Sequence, residues 1–251
     1  MKPESANMFD SLITALDFLT VLPVPHRKDY KPLELGKAAA WFPWVGALLG
    51  GLTALVYYGL LLILPRMLAS ALAVAFWIAV TGGLHLDGLA DCCDGLLYAG
   101  TPQRRLEIMK DPHHGTFADI GLPLTILIKI AALYSLPLEV YGLALPLAGA
   151  LSRWLLLPAG KQANARPGGL GEQFSASLQK GSFYLALIPV IILTYQLGWQ
   201  AIAVAAVVHV CAWLIFRTAQ VRLGGMTGDV YGLVVELGEL LVLMGFCVRG
   251  L

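Results

Sequence analysis

The stretch Leu68-Ala69-Ser70-Ala71-Leu72-Ala73-Val74-Ala75-Phe76-Trp77-Ile78-Ala79-Val80-Thr81-Gly82-Gly83-Leu84 contains no charged residue, and it runs straight into His85-Leu86-Asp87-Gly88-Leu89-Ala90-Asp91-Cys92-Cys93-Asp94-Gly95. The first half has the length and apolarity of a helix that crosses hydrocarbon. The second half puts three carboxylates into eight residues of a chain in which only 13% of residues are charged. At 100° per residue a helix brings Asp87, Asp91 and Asp94 onto one face. Nothing cationic sits among them in sequence, so a cation, proton uptake or splaying into water must relieve their repulsion. Oxygen-only ligands suit Mg²⁺, with Mn²⁺ as a substitute, or Ca²⁺, better than zinc.

Working outward, similar runs recur. The chain is 58% hydrophobic with a mean hydropathy of +0.73. This composition predicts an all-α, polytopic membrane helical bundle rather than a soluble enzyme. About seven spans are expected, near Ala38 to Leu64, Leu68 to Leu84, Ile120 to Leu136, Val140 to Leu157, Phe183 to Leu197, Trp199 to Phe216 and Leu233 to Val248. Residues Phe9 to Val21 read as an amphipathic helix lying on the membrane surface. No internal repeat or linker divides the chain, so residues 1–251 are expected to form one integral membrane domain.

Basic residues set orientation. With the N-terminus inside, Lys2, Arg27, Lys28, Lys31, Lys37, Arg104, Arg105, Lys110, Lys161, Arg166, Lys180, Arg217 and Arg222 fall in the cytoplasm, and Arg66 and Arg249 outside. The long polar stretches near 22–37, 85–119, 158–182 and 217–232 then share the cytoplasmic face, where chemistry is expected. The connections at Pro65, Pro137 and Gly198 are short. Four cysteines make neither a disulfide framework nor a zinc spacing, and a formal charge of +1 gives no reason to expect nucleic acid as a partner.

A second acidic constellation is Leu223-Gly224-Gly225-Met226-Thr227-Gly228-Asp229-Val230-Tyr231-Gly232, followed by Glu236 and Glu239. Gly225, Thr227 and Gly228 could cradle a phosphate at the start of a helix, although a plain turn with a capping Asp explains the same pattern. Between the two constellations, Arg104, Arg105 and Lys110 are candidate phosphate ligands and Asp111 a further metal ligand, or else the bases anchor the adjoining helices. Lys129 and Arg153 fall inside spans, where charge is costly and marks a cavity or a partner. Arg166 belongs to a Gly-rich loop able to close over a ligand. His113 and His114 read as a solvated pair.

Taken together, Phe18-Leu19-Thr20-Val21-Leu22-Pro23-Val24-Pro25, Gly82-Gly83-Leu84-His85-Leu86-Asp87-Gly88-Leu89-Ala90-Asp91 with Asp94-Gly95, Glu107-Ile108-Met109-Lys110-Asp111, Gly169-Leu170-Gly171 and Leu223-Gly224-Gly225 with Thr227-Gly228-Asp229 resemble the adenosylcobinamide-GDP ribazoletransferase (cobalamin synthase) family over essentially the whole chain. The resemblance implies a Mg²⁺-dependent, multispanning bacterial inner-membrane enzyme. It would join adenosylcobinamide-GDP to α-ribazole, or to its 5′-phosphate, and release GMP. Asp91-xx-Asp94-Gly95 also looks like the opening of the CDP-alcohol phosphotransferase signature, so a similar metal site is expected; beyond that opening the match lapses.

On this reading Asp87, Asp91, Asp94 and Asp229, with Asp111 or Glu236, hold the metal. Asp94 or Asp229 takes the proton of the attacking hydroxyl, and Arg104, Arg105, Lys110, Lys129, Arg153 and Arg166 are available to substrate. The alternatives are a lipid phosphotransferase of the CDP-alcohol type and, from the charged residues within spans, a transporter. Homo-oligomerisation and association with other corrinoid-assembly enzymes are left open by the sequence.

Overall fold

The computed structural model describes residues 8–26 and 34–248. Lys2, Arg27, Lys28, Lys31 and Arg249, which entered the charge-bias argument, lie outside the described residues. Within them the chain is helical: α1 Met8–Leu19, α2 Leu35–Ala38, α3 Phe42–Leu61, α4 Arg66–Val80, α5 Leu84–Leu97, α6 Pro102–Ile108, α7 Thr116–Ser135, α8 Tyr141–Trp154, α9 Leu156–Ala159, α10 Leu170–Ser177, α11 Ser182–Leu197, α12 Trp199–Leu223 and α13 Gly228–Gly245. The expected α1 buries Ile13, Ala15 and Leu19 and leaves Met8 and Phe9 exposed, as an amphipathic helix should.

Every expected span is helical, yet the count of seven is not reached by length and apolarity. Four stretches qualify: 35–61, 116–135, 141–159 and 199–223. Two bent pairs, α4 with α5 at 93° and α10 with α11 at 99°, raise the number to six at most. The seventh expected span is α13, and its 18 residues include Asp229, Glu236 and Glu239. Those carboxylates disqualify it as a lipid-facing span, and the bundle accommodates it by burial: Val234, Val235, Val242 and Leu243 are all enclosed.

At the centre α3 packs on α8, and α13 packs on α5 and α8. Between membrane helices there is little hydrophobic drive, so close van der Waals contact must supply the association. Gly46 and Gly50 on α3 lie one helical turn apart and press against the backbone of α8 at Gly149 and Leu145, where a Cβ would collide. Outward faces are apolar, with Leu55, Leu127, Ile191 and Trp213 exposed, as lipid contact requires.

Two consecutive left-handed glycines, Gly82 (φ +62°) and Gly83 (φ +68°), turn the chain between α4 and α5. An L side chain resists this backbone conformation. The bend lays α5 across the end of the bundle instead of through it, and α5 is the helix that carries Asp87, Asp91 and Asp94.

Candidate active site

Three segments meet at this end. Gly88 of α5 and Gly232 of α13 let the two backbones touch: a Cβ on Gly88 would stand 2.7 Å from the Asp229 carbonyl oxygen, and one on Gly232 would stand 2.8 Å from that of His85. The approach sets Asp87 and Asp91 beside Asp229. The first turn of α13 is capped by Thr227, whose Oγ1 accepts from the Val230 amide at 3.3 Å and donates to Asp229 Oδ2 at 3.2 Å.

The third segment is the 160–169 loop. Met226 N donates to the Ala163 carbonyl at 2.7 Å and Ala165 N to that of Met226 at 2.9 Å. Gly225, at φ +156°, fits against Ala163 and Asn164 only because it lacks a Cβ. This tie delivers Arg166, which donates to Asp229 Oδ2 at 2.8 Å and to the Leu106 carbonyl at 3.2 Å.

Arg166 therefore pairs directly with Asp229, and its charge also reaches Asp91. Asp91 is pushed up to about 7, first by burial and then by the negative charges of Asp229 and Asp87. Asp229 is also raised, because burial outweighs the help of Arg166 and Thr227. Beside them opens a cleft of about 210 Å³ whose lining includes His85, Asp87, Arg166, Thr227, Gly228 and Asp229. The rest of its wall is mostly apolar, with Leu35, Leu84, Leu156, Leu170 and Met226 beside four aromatic rings, and Glu172 adds a carboxylate. Phe18 stacks on Phe42 and Phe42 on Phe174, each at 5.8 Å between centroids, and Phe174 meets Tyr231 edge-on at 5.6 Å. The Tyr231 hydroxyl, Asn164 Oδ1 and Arg166 Nε are buried without hydrogen-bond partners, a pattern that a bound ligand would resolve.

Other residues singled out in the sequence are employed elsewhere. Asp94 turns toward α7, where its oxygens accept from Gly115 N at 2.6 Å and Ala118 N at 3.1 Å. It caps that helix and does not converge with Asp87 and Asp91. Asp111 is exposed and accepts from both the amide and Nδ1 of His113. Arg105 caps the C-terminal end of α5 by donating to the Gly95, Leu96 and Gly100 carbonyls. Arg104 pairs with Glu107 on the surface at 2.8 Å, and Lys110 is exposed.

Glu236 lies seven residues along α13 from Asp229, about 10 Å up the axis, and is occupied by Lys129 at 2.7 Å. Lys129 also holds Glu239 at 2.6 Å, and Glu239 in turn pairs with Arg153. All four are buried, so Lys129 and Arg153 meet each other's carboxylates, not the cleft. Sequence reasoning passed over His85, Glu172 and Tyr231, which line the cleft. For His85 the signal was its place two residues before Asp87; for the other two none was visible.

Among the described residues no three His, Cys, Asp or Glu side chains already stand as a metal cage. The donor set nevertheless fits Mg²⁺. Asp87, Asp91 and Asp229 offer only oxygen and leave an excess of negative charge over Arg166, and Mg²⁺ is ordinarily held by one or two carboxylates with water and substrate phosphate completing its octahedron.

Fold and site define a polytopic membrane protein with an acidic, cation-seeking cleft at one end of its bundle. Within that class, the family model described as cobalamin-5-phosphate synthase (CobS) matches residues 11–247, and the chain belongs to this family. It is 37% identical to the adenosylcobinamide-GDP ribazoletransferase of Deinococcus radiodurans over 94% of this chain and 84% of that one. It is 40% identical to the enzyme of the same name from Ectopseudomonas mendocina over 92% of this chain and 95% of that one. A third, from Desulfitobacterium hafniense, is 38% identical over 92% and 94% respectively. No solved structure matches significantly.

Proposed function

We propose that the protein transfers the adenosylcobinamide-phosphate group of adenosylcobinamide-GDP to α-ribazole, or to α-ribazole 5′-phosphate, with release of GMP. The observation that carries this reading is the convergence of Asp87, Asp229 and Arg166 on one cleft, with Asp91 near enough to feel the charge of all three, in a chain that matches the family from residue 11 to 247.

Asp87, Asp91 and Asp229 would hold Mg²⁺, or Mn²⁺ in its place. The metal supplies charge neutralisation for the pyrophosphate and for GMP as it leaves. Arg166 binds a phosphate oxygen, which requires it to give up part of its hold on Asp229. The amide-rich start of α13 at Gly228 faces the same charge. The ribazole 3′-hydroxyl attacks the cobinamide-bearing phosphorus, its O–H bond breaking as the new O–P bond forms and the P–O bond to GMP breaks. Asp229 takes the proton; Asp94 keeps α7 in place. The bias of basic residues toward the loops around the cleft supports a cytoplasmic orientation in a bacterial inner membrane.

The test is GMP release by detergent-purified protein supplied with adenosylcobinamide-GDP and α-ribazole, with Mg²⁺ and with EDTA. GMP and a cobalamin product that appear only with metal support the proposal. Absence of both from folded protein, with the ribazole phosphate also tried, refutes it.

A further inference from the structure

The four-residue ion network buried behind the cleft has no part in the chemistry above. Two cations, Lys129 and Arg153, balance two anions, Glu236 and Glu239, and Arg153 Nη1 also donates to Ser152 Oγ at 2.9 Å. Burying such a cluster costs desolvation that apolar residues would not incur. The network ends at the cleft. Arg153 Nη2 stands 3.5 Å from Nδ1 of His85, and His85 lines the cavity.

A guanidinium nitrogen is always a donor, so Nδ1 must face it with its lone pair. The ring proton is then confined to Nε2. Among the described residues Nε2 has no partner, so it joins the Tyr231 hydroxyl and Arg166 Nε as a polar atom available to a ligand in the cleft that these residues line. The same cavity is lined by Phe18, Phe42, Phe174 and Tyr231, together with leucines and Met226. Away from the charged end formed by Asp87, Arg166 and Asp229, aromatic faces and a neutral N–H donor suit the ring and sugar of a nucleoside.

We infer that His85, fixed as its Nε2–H tautomer by the buried Arg153 network, donates a hydrogen bond to the incoming nucleoside and so selects and seats it. The inference rests on the proposed reaction and adds the residue that recognises one of its two substrates.

Two variants separate this role from simple support of Arg153. In His85→Asn the amide reaches only the position of Nδ1, whereas in His85→Gln its nitrogen reaches that of Nε2. The expected result in the GMP-release assay is a KM for α-ribazole raised about tenfold in His85→Asn, little change in His85→Gln, and an unaltered KM for adenosylcobinamide-GDP in both. Asn behaving as wild type, Gln falling as far as Asn, or an effect confined to the cobinamide substrate overturns the inference.

A second measurement does not depend on either variant folding. Replacing His26, His113, His114 and His209 leaves His85 as the sole histidine, and its ¹⁵N spectrum reports the tautomer. Protonated Nε2, with a shift on adding α-ribazole, supports the inference; protonated Nδ1 overturns it. Should the wild type form no GMP at all, the reaction fails while the tautomer and the ribazole-induced shift still judge His85.

Discussion

Asp91 and Lys129 show how differently one bundle treats charge. Asp91 is half-buried among like charges, so its surroundings favour a cation or a proton. Asp91→Asn keeps the shape and removes the charge; it should cut turnover at least about 100-fold while leaving the thermal unfolding midpoint in detergent within a few degrees of wild type. Near-normal GMP release would remove Asp91 from the site. Lys129 is satisfied by Glu236 and Glu239, so its loss strands two carboxylates beside one arginine. Lys129→Met is expected to destabilise the protein by about 3–5 kcal/mol, seen as a lower unfolding midpoint. Adding Glu236→Gln should restore part of that stability, and a double variant no better than the single would mean that the pair is not coupled.

Between helices, the decisive residues are the ones without side chains. Gly88 and Gly232 set the separation of α5 and α13, and through it the distance from Asp91 to Asp229. Gly232→Ala should force the helices apart by part of an ångström, and catalytic geometry is intolerant of such displacement. Turnover is expected to fall more than tenfold while the fold survives; unchanged turnover would show that the spacing is not critical. The helices themselves were legible from apolar runs, as was the α5 face bearing Asp87 and Asp91. Asp94 was not, because which neighbour claims a carboxylate depends on where α7 begins in space. The pairing of Glu236 with Lys129 was hidden for a related reason. Their partners lie about a hundred residues away, and periodicity on a single helix does not reveal them.

Across the whole molecule, the sequence separates long polar loops from short turns, and the structure gathers α5, the 160–169 loop and the start of α13 at one end. If that end faces the cytoplasm, a cysteine at Lys110 should react with a membrane-impermeant maleimide only in inverted vesicles, and one at Gly198 only in right-side-out cells. The reverse pattern would invert the proposed topology. By length and apolarity alone four to six spans qualify, not seven; α13 reads as apolar by composition, yet its inner carboxylates require the partners Lys129 and Arg153 that α7 and α8 supply.

The contact between Gly88 and Gly232 joins segments that the ribosome makes at very different times. When Gly88 emerges, its partner Gly232 lies 144 residues further along the chain, so Asp87 and Asp91 wait in an unfinished bundle without Asp229 or the Arg166 loop tied against Met226. A chain stopped before Thr227 would therefore be inert rather than partly active. Quality control that removes such fragments would lose no useful enzyme, and competence would arrive in one step as the last helix docks.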